Sequence, residues 1–244
     1  MESNPAGADS PDAPHGRDFA VAAARLTAAV GPDDDLCAPL VCATATSGAV
    51  ISSLGEPLGT QTICASSVIA ERIDEIQIDL GEGPCWEAFR SRVPVMENDV
   101  QHASGGDWPT ALESLQGLGI GALYAFPLYV GDLSVGSLDL YSMKARRLSA
   151  PQVHDATALA SIAARQVLRR ALDGLDLPMD EPVAGRYSRR EVYQASGMVA
   201  AQMSISVDDA LLVIRGHAFA EDRTVREVAA EIVNRNLTFG SAER

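Results

Sequence analysis

Two sets of side chains in this sequence are of types that can act on a partner. Arg189, Arg190, Arg215, Arg223 and Arg226 gather near the C-terminus, and guanidinium suits phosphate because its planar fork gives charge and paired donors together. Glu191, Asp208, Asp209, Glu221, Asp222, Glu227 and Glu231 share that stretch, so composition alone describes solvated, mutually neutralised helix faces equally well. Gly197 falls inside a helical pattern, at a cost of about 1 kcal/mol relative to alanine. Close approach of another backbone accounts for it, either a neighbouring helix or a nucleic acid. The second set is Cys37, Cys42, Cys64 and Cys85. They lack CxxC spacing and a nearby histidine, so neither a zinc site nor a disulfide framework is indicated, and buried reduced thiols are the default. Cys85 lies just inside a helix start, where the dipole favours thiolate. That makes it a redox candidate, with a packed thiol as the alternative. Gly81, Gly83 and Pro84 lack the GxxxxGK[ST] pattern and read as a turn. His217 sits beside an apolar stripe as a polar residue without a visible metal partner.

The elements that must position these residues follow from periodicity and punctuation. Residues 1–18 read as a disordered tail. FAVAAARLTAAV reads as a helix, and APLVCATAT with AVISSL as two strands of a hairpin around Ser47–Gly48. Val68, Ile69, Ile73, Ile76 and Leu80 mark one face of an amphipathic helix. Pro84 opens a short helix carrying Trp86 and Phe89, and PVMEND is a short strand. DWPTALESLQGLGI is a helix leading into two central strands around Gly131–Asp132. Ser149 and Pro151 begin a long helix to about Leu172. Residues 173–187 are a linker rich in Pro, Gly and acids. Ser188 with Glu191, Ser206 with Asp209 and Thr224 with Glu227 then announce three helices, each with a hydroxyl three residues before an acid. Their stripes are Val192, Ala195, Val199 and Met203; Ala210, Leu211, Ile214 and Ala218; and Val225, Val228, Ala229, Ile232 and Val233. Residues 238–244 form a second tail.

The 244-residue chain is 47% hydrophobic and carries a net charge of −14, enough apolar content for one large or two small cores. Residues 1–187 hold 12 basic and 25 acidic side chains, and residues 188–244 hold 7 and 8, an acidic body followed by a nearly neutral domain. This balance predicts modest, steeply salt-sensitive nucleic-acid binding rather than avid non-specific binding. No run reaches the length of a membrane span. The N-terminus has neither a basic nor an apolar signal region, so a cytoplasmic protein is expected.

ERIDEIQIDLGEGPCWEAFRSRVPVMENDV, followed by WPTALESLQGLGIGALYAFPLYVGDLSVGSLDLYS, resembles the GAF family of small-molecule sensor domains in the variety found in actinobacterial regulators, over residues 19–172. VYQASGMVAAQMSISVDDALLVIRGHAFAEDRTVREVAAEIV resembles the ANTAR family of antitermination RNA-binding modules, over 188–237. Gln194, Ala195 and Gly197 fit its first helix, Arg215 with Ala218 its second, and Arg223 with Arg226 its third. Ser196 stands where that family usually carries Lys, which removes a phosphate-directed charge. The resemblance implies an α+β fold, with an antiparallel sheet flanked by helices followed by a small three-helix bundle. It implies a non-enzymatic, cytoplasmic, homodimeric regulator of transcription antitermination. Its bundle would bind a stem-loop in a nascent mRNA leader through Arg189, Arg190, Gln194, Ser196, Gly197, Arg215, Arg223 and Arg226. The N-terminal domain would sense a small molecule or redox state, with Trp86, Phe89, Tyr124 and Phe126 lining a pocket. The sequence assigns no cofactor and no metal. The competing readings are a helix-turn-helix-like DNA binder and a cysteine-dependent reductase of the same fold using Cys64 and Cys85.

Overall fold

Two long strands, one a continuous apolar run and the other alternating, are joined at Gly131–Asp132 and set the architecture of the N-terminal domain. The computed structural model describes residues 13–104, 106–175, 189–221 and 223–239. In chain order its elements are α1 (Ala13–Ala28), α2 (Cys37–Thr44), β1 (Gly48–Ser53), β2 (Gln61–Ala65), α3 (Val68–Leu80), α4 (Pro84–Ser91), β3 (Val95–Glu97), α5 (Pro109–Gly117), β4 (Ala122–Val130), β5 (Leu133–Ser142), α6 (Ala150–Leu175), α7 (Arg190–Met203), α8 (Val207–Ala220) and α9 (Val225–Val233). The strands form one antiparallel sheet in the order β2-β1-β5-β4-β3, so the α+β expectation holds. The pairing of Val130 with Leu133 leaves Gly131 and Asp132 as a two-residue connection, with Gly131 at φ 58°, the positive φ that such hairpin turns demand.

The sheet is buried on both faces. One face packs Ile51, Tyr124, Phe126, Leu138 and Leu140 against Leu26, Leu40, Leu159 and Val167 of α1, α2 and α6. The other packs Val50, Leu123 and Tyr141 against Ile73, Ile76, Leu112 and Leu115 of α3 and α5. Gly136 on β5 lies so close to β1 that a Cβ there would collide with the Ser52 carbonyl, and only glycine allows that approach. A third cluster, formed by Val192, Ala195, Val199, Ala210, Ile214, Ala218, Val225, Val228, Ala229 and Ile232, closes α7, α8 and α9 on one another, as their stripes predict. Met203 alone leaves its stripe and is exposed.

Four expectations change. Most of the segment 38–46, read as a strand, is helical, because the Asp35 carboxylate accepts the Cys37 and Ala38 amides and starts a turn there; β1 pairs instead with β2 and β5. Helix α1 begins at Ala13, inside the segment read as tail, and residues 1–12 of that tail lie outside the described residues. The long helix continues to Leu175, into the segment read as linker, whose remainder lies outside the described residues. Cys37 and Cys64 are joined by a disulfide, with Cα atoms 6.3 Å apart; helix and strand bring together two cysteines whose spacing gave no sign of a pair. Of the three helix starts, Ser206 caps α8 and Thr224 forms a complete capping box with Glu227, while Ser188 lies outside the described residues.

Candidate nucleic-acid interface and the domain beneath it

The C-terminal bundle sits on α3, and the contact is made largely by residues singled out for phosphate binding. Arg189 immediately precedes α7 and is 6% exposed, its guanidinium 2.6 Å from Asp79 Oδ1. The other Asp79 oxygen accepts the Val225 amide at 3.0 Å, at the first residue of α9. There both charge and an unpaired N–H favour an anion. Arg226 lies 3.7 Å from Glu71 and 3.5 Å from Glu75. Arg215 donates from Nη2 to the Ile78 carbonyl at 3.1 Å, and its Nε is buried without an acceptor. Burial lowers the Arg215 pKa, and the like charge of Arg189 adds to that effect. Burial pushes the Glu75 carboxyl up, as does repulsion from Asp79, against the pull of Arg226 and Arg72. At the margin, the Tyr193 hydroxyl both donates to the Thr60 carbonyl and accepts the Thr60 amide, each at 3.3 Å.

The remaining expected contacts divide. Arg223 is held within the bundle by Glu221 at 3.1 Å and Glu231 at 2.8 Å. Arg190, Gln194 and Gly197 lie on the exposed side of α7. A Cβ at Gly197 would meet nothing within 4 Å, so a neighbouring helix is not what this glycine accommodates. Ser196 is buried, its hydroxyl donating to the Val192 carbonyl at 2.9 Å; it lies inside the bundle, away from any surface a nucleic acid reaches. His217 is paired with Glu221 at 3.3 Å and stacks edge-on against Phe239.

In the N-terminal domain the four pocket aromatics do not converge. Tyr124 and Phe126 alternate toward the α6 face and are wholly buried, with the Tyr124 hydroxyl donating to the Arg146 carbonyl at 2.7 Å. Trp86 and Phe89 pack around Leu54, Ile78 and Cys85 in a separate cluster. What sequence reasoning missed is a buried polar network between α3 and the sheet. Asp74 accepts the hydroxyls of Ser52 and Thr62. Asp139 accepts the Gln77 amide and the Ser137 hydroxyl, both at 2.6 Å. Gln77 Oε1 in turn receives the Cys85 amide at 2.9 Å, fixing the start of α4. A Cβ at Gly83, whose φ is 127°, would collide with the Gln77 side chain. Desolvation raises the Asp74 pKa to about 6 and that of Asp139 to about 7, in each case against the hydrogen bonds that favour the charged form. Interleaving of polar residues with an apolar stripe at Asp74 and Gln77 was the available signal.

The same network overturns the redox assignment of Cys85. Burial, and then the nearby Asp139 and Asp74 charges, push its thiol well above the usual range, outweighing the helix dipole. Cys64 is bonded to Cys37 in another part of the core, so Cys64 and Cys85 do not form a reactive pair. Asp35, Cys37 and Cys64 bring three ligand-type atoms within 4.8 Å of one another, but sulfurs bonded to each other are not thiolate ligands.

Between the bundle and the N-terminal domain lies a cleft of about 520 Å³. Arg72, Ile76, Asp79, Leu80, Glu113 and Leu118 line one wall, and Arg215, Phe219, Arg223 and Val225 the other. No single helix among the described residues is long and apolar enough to cross a membrane.

Comparison with known proteins places these two regions in families. The GAF domain family matches residues 33–167 and the ANTAR domain family residues 186–233. No curated protein matches. Similar solved structures include a domain of a two-component sensor histidine kinase from Sinorhizobium meliloti 1021, with 21% identity, 65% of this chain and 96% of that chain covered, and a TM-score of 0.40. The GAF-B domain of DevS from Mycobacterium smegmatis has 18% identity, covering 66% and 98% with a TM-score of 0.39. The chromophore-binding domain of a bacteriophytochrome from R. palustris has 14% identity, covering 66% and 63% with a TM-score of 0.48. GAF domains bind small-molecule ligands, ANTAR domains bind RNA, and neither domain type is enzymatic.

Proposed function

The chain belongs to the GAF domain family and carries an ANTAR domain behind its sensor, and from that premise we propose that it is a cytoplasmic, homodimeric, non-enzymatic regulator of transcription antitermination. Its bundle binds a stem-loop in a nascent mRNA leader, under control of a small molecule sensed by the N-terminal domain. The observation that carries this reading is the convergence of Arg189, just before α7, Arg215 on α8 and Arg226 on α9 on one face of the bundle. Guanidinium groups brought together in this way from distant positions suit a run of phosphates. RNA shape and loop bases then supply specificity. The reading uses Arg190, Gln194 and Gly197 as further contacts and leaves Ser196 to packing.

The test is a salt titration of full-chain binding to a two-stem-loop RNA and to a duplex DNA of equal length, with wild type and Arg215→Ala. The expected result is preference for RNA, with the log–log salt slope reduced by about 1 in the variant. Equal binding to both nucleic acids, or a variant indistinguishable from wild type, overturns the reading.

A further inference from the structure

The guanidinium groups on which the RNA reading rests are already occupied by one helix of the sensor. Glu71, Glu75 and Asp79 fall at i, i+4 and i+8 of α3, so their carboxylates follow one another along a single stripe at intervals of about 6 Å. Arg226 faces the first two and Arg189 grips the third. The remaining oxygen of Asp79 takes the amide that opens α9, the bond that a phosphate makes with a helix N-terminus. A regular row of anions, received by arginines and a helix N-terminus, is what a nucleic-acid strand offers a protein. Arg215 supplies a second, independent observation. Its guanidinium has the Ile78 carbonyl as an acceptor while its Nε is buried and unpartnered, so this site is satisfied less well by α3 than by an anion that reaches both edges of the fork.

We propose that the acidic stripe of α3 stands in for an RNA backbone: the stripe and RNA phosphates bind the same arginine face, and RNA is bound only when the bundle leaves α3. The proposal rests on the RNA reading above and adds to it the surface that is used and the occupant it must displace. Gln194 and Gly197 are exposed on α7 in the docked chain, a place for first contact before displacement. Apparent RNA affinity is then the intrinsic affinity scaled by the undocked fraction. The sensor has a direct hold on that fraction, because α3 is fixed to β1 and β5 through Asp74 and Gln77. Any ligand that shifts this helix changes the fit of its outer stripe, and it biases docking by as much as its affinities for the two states differ.

The experiment compares RNA affinity of the full chain as wild type, as Glu71→Gln/Glu75→Gln/Asp79→Asn, and as Asp18→Asn/Asp33→Asn/Asp132→Asn. The last variant removes the same charge from exposed positions away from α3. The α3 variant is expected to bind about tenfold tighter than wild type, and the control variant less than about threefold. Equal gains in the two variants overturn the proposal by reducing it to net charge, and an unchanged or weaker α3 variant overturns it outright. A second readout is exchange of the Thr60 amide, whose acceptor is the Tyr193 hydroxyl, with and without stem-loop RNA or inorganic polyphosphate. Faster exchange on adding either polyanion supports displacement; unchanged exchange at saturation overturns it. If RNA binds to none of the proteins, the RNA reading has failed. Polyphosphate then still decides whether anions and α3 compete for the arginines.

Discussion

Helix α3 carries carboxylates on two faces, and the protein treats them in opposite ways. On the inner face Asp74, with Asp139 on the strand beneath it, is answered by hydroxyls and an amide. These neutral donors satisfy the oxygens without offsetting the charge, so desolvation dominates and both carboxyls titrate above the usual range. On the outer face Glu71, Glu75 and Asp79 are answered by guanidinium groups at the boundary between the sensor and the bundle. The inner arrangement cannot be exchanged without opening the core, and it fixes the helix. The outer one can be exchanged for other ions, and it holds a partner only as long as no better anion arrives.

Asp139→Ala costs the most, because it leaves the Gln77 amide and the Ser137 hydroxyl without their acceptor. At pH 5.5, where the native carboxyl is protonated, calorimetry should show a loss of about 3 kcal/mol, or roughly 6–12 °C in Tm. Next is the pH dependence. A raised pKa means that the folded chain keeps protons the unfolded chain has released, so stability falls as pH rises from about 4 through about 7, and the penalty is complete above that. Wild type should therefore melt higher at pH 5 than at pH 8. Asp139→Asn should flatten that curve and stabilise the protein at pH 8 by on the order of 2 kcal/mol; a variant curve parallel to that of wild type would falsify the assignment. Salt separates the two faces with a smaller effect. Going from 0.1 to 1 M NaCl shortens the Debye length from about 10 to about 3 Å, so Thr60 exchange should quicken severalfold while amides in β5 hold their rates. The smallest effect belongs to the open stripe of α7, where Gly197→Ala should stabilise the bundle by about 0.5–1 kcal/mol. If RNA affinity falls in the same variant, the glycine is a backbone contact.

Much of the fold was legible because it is written locally. The Ser206 and Thr224 caps, the Gly131–Asp132 turn and the three stripes of the bundle each lie within a few residues of what they specify. The segment 38–46 misled because a short apolar run fits helix and strand alike, and the deciding signal was the single carboxylate of Asp35. The functional surfaces were half legible. Arginine identity is visible in sequence, but Asp79 stands 110 residues from Arg189 and 146 from Val225, and no local pattern announces a partner at that distance. The pocket aromatics failed for a related reason: residues two apart on β4 share a face, yet nothing in the sequence says that Trp86 and Phe89 pack on the other one. The partners of Asp74 and Gln77 lie on β1, β2 and β5, too far along the chain for a local pattern to announce.

The Cys37–Cys64 bond gives the chain a covalent ring that includes all of β1. No lysine or arginine lies between those cysteines, so trypsin cannot open the ring while it releases segments on either side. The one glutamate within it, Glu56, is followed by Pro57, so a glutamate-specific protease leaves the ring closed as well. A chain cut at another bond inside the ring remains one molecule on a non-reducing gel and becomes two only when thiol is added. The tie also shortens the reach of the unfolded chain, a constraint worth roughly 3 kcal/mol for a loop of this order. The edge strand β2 is therefore held to α2 by connectivity as well as by packing.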